Sequence, residues 1–244
     1  MTLARNDYRR IYAIGDIHGR SDLLDRMVGE IERDLDGVGG SAEHALTVTL
    51  GDYLDRGPDS RGVLERLVRN PFPTRYIALK GNHQELFESF LREPAAGRHW
   101  QQLGGLATLR SYDPAAAARL ESSSGAAADF AAAAAALCAA VPPEHRRFLA
   151  SLRPALDLGG YFLCHAGIRP GIAFEQQNQQ DLLWIREEFL VSDLDFGKIV
   201  VHGHTPVQHP EVRPNRINID TAAFATGRLT CVVLEGASHR FLAT

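Results

Sequence analysis

A chain of 244 residues that is 45% hydrophobic can bury the core of one sizeable domain. Its formal net charge of −4 offers nucleic acid no basic surface, and its longest apolar run, Ala126 to Val141, is mostly alanine, contains Asp129 and is too short to span a membrane. Three cysteines (Cys138, Cys164, Cys231) form neither a CxxC pair nor an even framework, and residues 1–10 are polar with no apolar leader, so the composition predicts a cytoplasmic protein and not a disulfide-stapled secreted one.

In chain order, Arg10 to Ile14 reads as a buried strand, and Asp22 to Leu35 as a helix with Leu23, Leu24, Met27, Val28, Ile31 and Leu35 on one face. A second strand at Ala45 to Leu50 and a helix at Arg61 to Arg69 follow, then a strand at Arg75 to Leu79 and a helix from Gln84 to Arg92. Such a β-α-β-α-β series predicts a parallel sheet that presents ligands at the carboxyl ends of its strands. From residue 93 to 147 alanine dominates, broken by Ser122-Ser123-Ser124-Gly125. Two or three inserted helices are expected there, as surface filler or as a cap that shapes the substrate site, within a single domain of residues 1–244. Short strands at Tyr161 to Cys164, Lys198 to Val201, Arg216 to Ile219, Leu229 to Leu234 and His239 to Leu242 predict a second, antiparallel or mixed sheet packed on the first.

Five blocks carry the chemistry. Gly15-Asp16-Ile17-His18-Gly19, Gly51-Asp52-Tyr53-Leu54-Asp55-Arg56-Gly57 and Gly81-Asn82-His83-Gln84 each follow a predicted strand, and Cys164-His165-Ala166-Gly167 and His202-Gly203-His204-Thr205 repeat the design. Asp16 and His18, one residue apart on a tight turn, can hold one cation. Asp52 can bridge to a second through its two oxygens, and Asn82, His165 and a histidine of the last block can complete that second site. Mixed nitrogen and oxygen donors suit Mn²⁺, with Fe or Zn²⁺ as alternatives. A pair of such ions lowers the pKa of a shared water toward neutrality and sets it for in-line attack on phosphorus. His83 is placed as general acid for the leaving alkoxide, with Asp55 orienting it. Arg56 can grip a phosphoryl group with a bidentate fork, and Arg186, in Leu182-Leu183-Trp184-Ile185-Arg186, is the second phosphate-binding candidate.

These blocks resemble the phosphoprotein phosphatase family of calcineurin-like metallophosphoesterases (GDxHG, GDxxDRG, GNHE), and within it the bacterial and phage-type serine/threonine protein phosphatases. The resemblance covers roughly residues 11–92 and 160–234. It implies an α/β fold, a four-layer α/β/β/α sandwich of two mixed sheets, with the alanine-rich stretch as a helical insertion. It also implies two divalent metal ions, held by Asp16, His18 and Asp52 on one side and by Asp52, Asn82, His165 and His204 on the other. Spacing alone leaves His202 and His204 equivalent, and the family pattern selects His204. The same pattern implies the acid dyad Asp55–His83 and the phosphate-binding pair Arg56 and Arg186. Two residues depart from it: Gln84 stands where glutamate is usual, and Ala222, after Ile219-Asp220-Thr221, stands where glycine is common.

Of the remaining histidines, His44, His145, His209 and His239 are expected at the solvated surface; in His99-Trp100 the indole is read as an anchor of the insertion, with a substrate platform as the alternative, and Cys164 as a small buried packing residue. The expected partner is a phosphorylated protein or a small phosphomonoester, with neither nucleic acid nor membrane, and the oligomeric state does not follow from the sequence. The function implied is metal-dependent hydrolysis of phosphoserine or phosphothreonine. Symmetrical cleavage of diadenosine tetraphosphate is the enzymatic alternative, and a non-catalytic scaffold on the same fold the alternative of another class.

Overall fold

The computed structural model describes residues 8–37 and 42–244; residues 1–7, most of the segment read from sequence as having no apolar leader, lie outside the described residues. The strand–helix alternation read from the sequence appears as β1 (Arg10–Ile14), α1 (Ser21–Gly37), β2 (Ala45–Thr49), α2 (Ser60–Val68), β3 (Arg75–Ala78) and α3 (Asn82–Arg92). The third helix starts two residues earlier than expected, so Asn82 and His83 form its first turn. In the insertion the chain makes five helices where two or three were expected: α4 (Gly97–Gln102), α5 (Gly105–Tyr112), α6 (Pro114–Glu121), α7 (Ala127–Ala140) and α8 (Pro143–Ser151). Asp113, whose side chain accepts from the Ala116 N–H, caps α6 and separates it from α5; Pro142 and Pro143 separate α7 from α8.

The second half comprises β4 (Ala155–Asp157), β5 (Tyr161–Cys164), α9 (Gln179–Trp184), α10 (Glu187–Leu190), β6 (Ile199–His202), β7 (Glu211–Val212), β8 (Arg216–Asn218), α11 (Ala223–Thr226), β9 (Thr230–Glu235) and β10 (Ser238–Ala243). Two five-stranded sheets result, ordered β10-β9-β1-β2-β3 and β4-β5-β6-β8-β7. The last two strands were expected in the second sheet; instead β9 runs antiparallel on β1, pairing Ile11 with Leu234 and Ile14 with Cys231, and β10 extends that edge. The reason is backbone accounting. β2 satisfies only one side of the buried β1, and its other row of N–H and C=O groups needs a partner.

Alternation along the strands builds the layers. Ile11, Ala13, Leu46, Val48, Val232 and Leu234 of the first sheet meet Leu163, Val201 and Ile217 of the second. On the first sheet's other face, Tyr12, Ile14, Cys231 and Val233 pack under α1, α2, α3 and the insertion. Phe162, Cys164 and Val200 face outward from the second sheet onto Leu182 of α9 and Phe189 of α10. The fold is therefore the α/β/β/α metallophosphoesterase sandwich. No helix among the described residues is long and apolar enough to cross a membrane.

The insertion is neither filler nor a detached cap. Trp100, Leu109, Tyr112, Phe130 and Leu137 are buried in the same apolar cluster as Met27 and Leu64 of α1 and α2. His145, expected at the surface, is buried in α8 with Nδ1 2.6 Å from the Tyr112 hydroxyl, a partner no local sequence pattern announces. His44, His209 and His239 are exposed as expected. Because one core joins insertion and sandwich, Leu137→Ala should lower the unfolding free energy by about 2–5 kcal/mol. Urea denaturation followed by tryptophan fluorescence should still show a single transition; an independently folding insertion would give two.

Candidate metal centre

Every chemical block lies just past the carboxyl end of a strand: 15–19 after β1, 51–57 after β2, 81–84 after β3, 165–167 after β5 and 203–205 after β6. Parallel pairing of β1, β2 and β3, and of β5, β6 and β8, brings these ends to one edge of the sandwich. The backbone there is strained. Among the described non-glycine residues, positive φ occurs at His18 (43°), Asp52 (47°), Asp55 (70°), Arg56 (67°), His204 (64°), Ala222 (52°) and, away from this edge, Asn70 (48°). Such conformations cost about 1–3 kcal/mol each and persist where surrounding structure holds them. Glycines permit close approaches here: a Cβ on Gly57 would clash with the His18 carbonyl oxygen, one on Gly81 with Asp52 Oδ1 and one on Gly203 with Asp16 Oδ1.

Two groups of buried donors share Asp52. His18, Asp52 and His83 form one, and Asp52, His165 and His204 the other. Asp52 Oδ2 lies 3.4 Å from His18 Nε2, and Asp52 Oδ1 lies 3.4 Å from His165 Nε2. Two donors each about 2.1 Å from a shared cation stand roughly 3–3.4 Å apart. The tautomers agree. His18 Nδ1 donates to the Leu54 carbonyl at 2.7 Å and His165 Nδ1 to the Leu50 carbonyl at 3.0 Å, which leaves each Nε2 a bare lone pair. His165 Nε2 nevertheless faces Asn82 Oδ1 at 2.8 Å, and His204 Nδ1 lies 3.0 Å from the same oxygen. The bare Nε2 of His165 facing an amide oxygen, with no proton between them, fits a cation.

Asp16 stands at the margin of this set. Its Oδ2 accepts from the His204 N–H at 3.1 Å, and its buried Oδ1 has no hydrogen-bond partner. Burial, then the nearby charges of Asp220 and Asp52, push Asp16 well above the carboxylate range, and burial foremost pushes Asp220 up to about 6. A cation would relieve this crowding of carboxylates. Burial lowers His18 to about 3 and His204 to about 2, and lowers His165 as well, so all three are neutral ligands at pH 7. His83 goes the other way: burial opposes its charge, but Asp52 and the hydrogen-bonded Asp55 outweigh that and raise it.

His83 Nδ1 lies 2.7 Å from Asp55 Oδ2, and Arg56 Nη2 donates to His83 Nε2 at 3.2 Å while its guanidinium lies over the Phe224 ring. Arg186 is exposed on the far side of the site, with Nη1 donating to Thr205 Oγ1 at 3.2 Å. All ten residues singled out by sequence thus lie around this edge.

Further residues complete the surroundings of the site, two of them, Gln84 and Ala222, being the departures from the family pattern noted in the sequence. Gln84 Oε1 accepts from the N–H groups of both Asp52 and Gly81, at 3.0 and 2.9 Å, without the charge of the usual carboxylate, while its buried Nε2 has no hydrogen-bond partner. Ala222 adopts φ 52°, the conformation for which glycine is common there. Asp220, Phe224, Trp100 and Thr108 reach the site by long-range packing that no spacing rule foretells. His202, buried and unpartnered at Nε2, packs edge-on against Phe189 and stands outside both donor groups.

A sandwich of two mixed sheets with two Asp/His groups sharing one carboxylate at its edge defines a metallophosphoesterase, a metal-binding hydrolase of phosphate esters. The chain belongs to the calcineurin-like phosphoesterase family, whose model matches residues 9–225. It is 28% identical over 237 residues to serine/threonine-protein phosphatase 1 of Salmonella typhimurium, covering 94% of each chain. It is 27% identical over 243 residues to an asymmetrical bis(5'-nucleosyl)-tetraphosphatase of Anoxybacillus flavithermus, covering 90% of this chain and 88% of that one. In fold it is similar to the crystal structure of a candidate diadenosine tetraphosphatase, with TM-score 0.66, 19% identity and coverage of 100% and 96%. It is likewise similar to a protein-tyrosine phosphatase of a Shewanella species, with TM-score 0.58, 15% identity and coverage of 99% and 83%.

The geometry separates the two histidines of the last block. His204→Asn should lower bound Mn²⁺ by about one equivalent in equilibrium dialysis, whereas His202→Asn should leave it unchanged. Burial lowers His202 to about 3. Between that value and about 6.5 the unfolded chain binds a proton the folded chain refuses, so apoprotein stability rises with pH across this window and falls on acidification. In urea titrations from pH 4 to 6.5, His202→Asn should flatten the slope by up to about 1.4 kcal/mol per pH unit.

Proposed function

We propose that the chain is a metal-dependent phosphomonoester hydrolase acting on phosphoserine or phosphothreonine in proteins. The observation that carries this reading is the Asp55–His83 pair set 3.9 Å from the shared Asp52 carboxylate, with Arg56 across it. A stable alkoxide leaving group does not exist at neutral pH, so serine and threonine phosphates need a proton donor at this position. Full-length similarity to a protein named serine/threonine-protein phosphatase 1 supports the same substrate class.

In this reading Asp16, His18 and Asp52 hold one divalent cation, and Asp52, Asn82, His165 and His204 the other, with Mn²⁺ best suited to the mixed donors. When bound, the pair supplies Lewis acidity to the phosphoryl oxygens and lowers the pKa of a water toward neutrality. The protein supplies orientation and the proton. Arg56 and Arg186 bind the phosphoryl oxygens from two sides. In moving onto phosphate, Arg56 frees the His83 Nε2 lone pair to take up a proton from solvent, which Nε2 then gives to the leaving oxygen, while Asp55 holds Nδ1–H. Attack by water predicts no covalent phosphoenzyme.

A second reading, hydrolysis of dinucleoside tetraphosphates, is favoured by the Anoxybacillus relative and by the Phe224 ring at the site, which could stack on a base. Metal-stripped protein resupplied with Mn²⁺ should turn over a phosphothreonine peptide faster than diadenosine tetraphosphate. The reverse order would favour the second reading, and its products (two ADP, or AMP with ATP) would tell symmetrical from asymmetrical cleavage. His83→Asn should lower kcat on the phosphopeptide by about 10²–10⁴-fold with both metals retained, whereas Asp52→Asn should lose metal and activity together. Full metal occupancy with no turnover of any ester would favour the scaffold.

A further inference from the structure

Asp55 is fully buried, and most of the groups that hold its carboxylate come from the insertion and not from the motif blocks. Thr108, in α5, donates from Oγ1 to Asp55 Oδ1 at 2.6 Å and accepts from the Asp55 N–H at 2.8 Å. Ser60 Oγ, at the start of α2, lies 2.9 Å from Thr108 Oγ1 and adds a second acceptor for the Asp55 N–H. Trp100, in α4, donates from Nε1 to Asp55 Oδ2 at 3.1 Å, on the same oxygen that receives His83 Nδ1. The indole has no freedom to leave, because it stacks on Phe90 with centroids 4.4 Å apart and is 1% exposed. Between the two helices, the Gly104 carbonyl accepts from the Arg56 N–H at 3.1 Å, and φ of 104° at Gly104 makes this turn one that glycine favours.

We propose that Trp100 and Thr108 are positioning residues for leaving-group protonation: they fix the Asp55 carboxylate, which in turn fixes the His83 ring. This rests on the phosphomonoesterase reading above. A carboxylate with three donors in place has one rotamer left, so His83 Nδ1–H has a fixed acceptor and Nε2 a fixed aim. The insertion thereby acts on chemistry from behind the site, without touching substrate.

The test compares leaving groups. p-Nitrophenolate departs without a proton, whereas a threonine alkoxide does not. Trp100→Phe and Thr108→Val keep volume and remove the donors. Together they should lower kcat on a phosphothreonine peptide about tenfold or more, change kcat on p-nitrophenyl phosphate less than about twofold, and leave KM and bound metal unchanged. Thr108→Ser should retain the wild-type rate. By proton NMR, the downfield His83 Nδ1–H signal, identified by its loss in His83→Asn, should shift or broaden in the double variant. Equal losses on both esters, or an unmoved signal, overturn the proposal. A wild-type chain inactive on both esters overturns the phosphatase reading instead, and the NMR signal then reports separately whether Trp100 and Thr108 orient the ring.

Discussion

The structure depends on one buried carboxylate, Asp52. At 2% exposure it would be prohibitive as an isolated charge. Its surroundings resolve this by placing histidine nitrogens on both sides of it, each ring turned by a backbone carbonyl so that a lone pair points inward. That arrangement needs a left-handed backbone at Asp52, held by Gln84 Oε1 on its N–H, and it needs five strands to end at one edge. The sandwich topology is what satisfies the last condition.

Strain and stability are correspondingly divided. Left-handed residues at His18, Asp52, Asp55, Arg56 and His204 cost stability, and they persist because each joins a buried, well-packed strand to a helix or to another core segment. The interior between the sheets is predominantly apolar, built from alternate residues of β1, β2, β9, β5, β6 and β8, with the buried hydroxyl of Tyr161 at its margin. Polar chemistry is confined to the loops above it. A rigid base of this kind keeps five separate loops in register to within a hydrogen-bond length.

The helical insertion completes the first sheet's outer layer and, through Trp100 and Thr108, reaches the Asp55 carboxylate that holds His83 Nδ1. Packing and chemistry meet in the same side chains: the indole that stacks on Phe90 also donates to Asp55.

Local patterns alone determined the order of strands and helices from β1 to α3 and the strand-end positions of the ligand blocks, because periodicity and glycine-flanked turns are written within a few residues. Spacing did not distinguish His202 from His204, two residues apart on one strand end; the family pattern favoured His204, and the packing of His202 against Phe189 and the turn at His204 give the physical reason. Nor did local patterns place β9 and β10, which join the first sheet because β1 has an open edge, or foresee the burial of His145 against Tyr112. The donors to Asp55, 45 and 53 residues away along the chain, belong to the same class. Contacts of that separation depend on how whole layers stack, a property of the folded chain and of no segment within it.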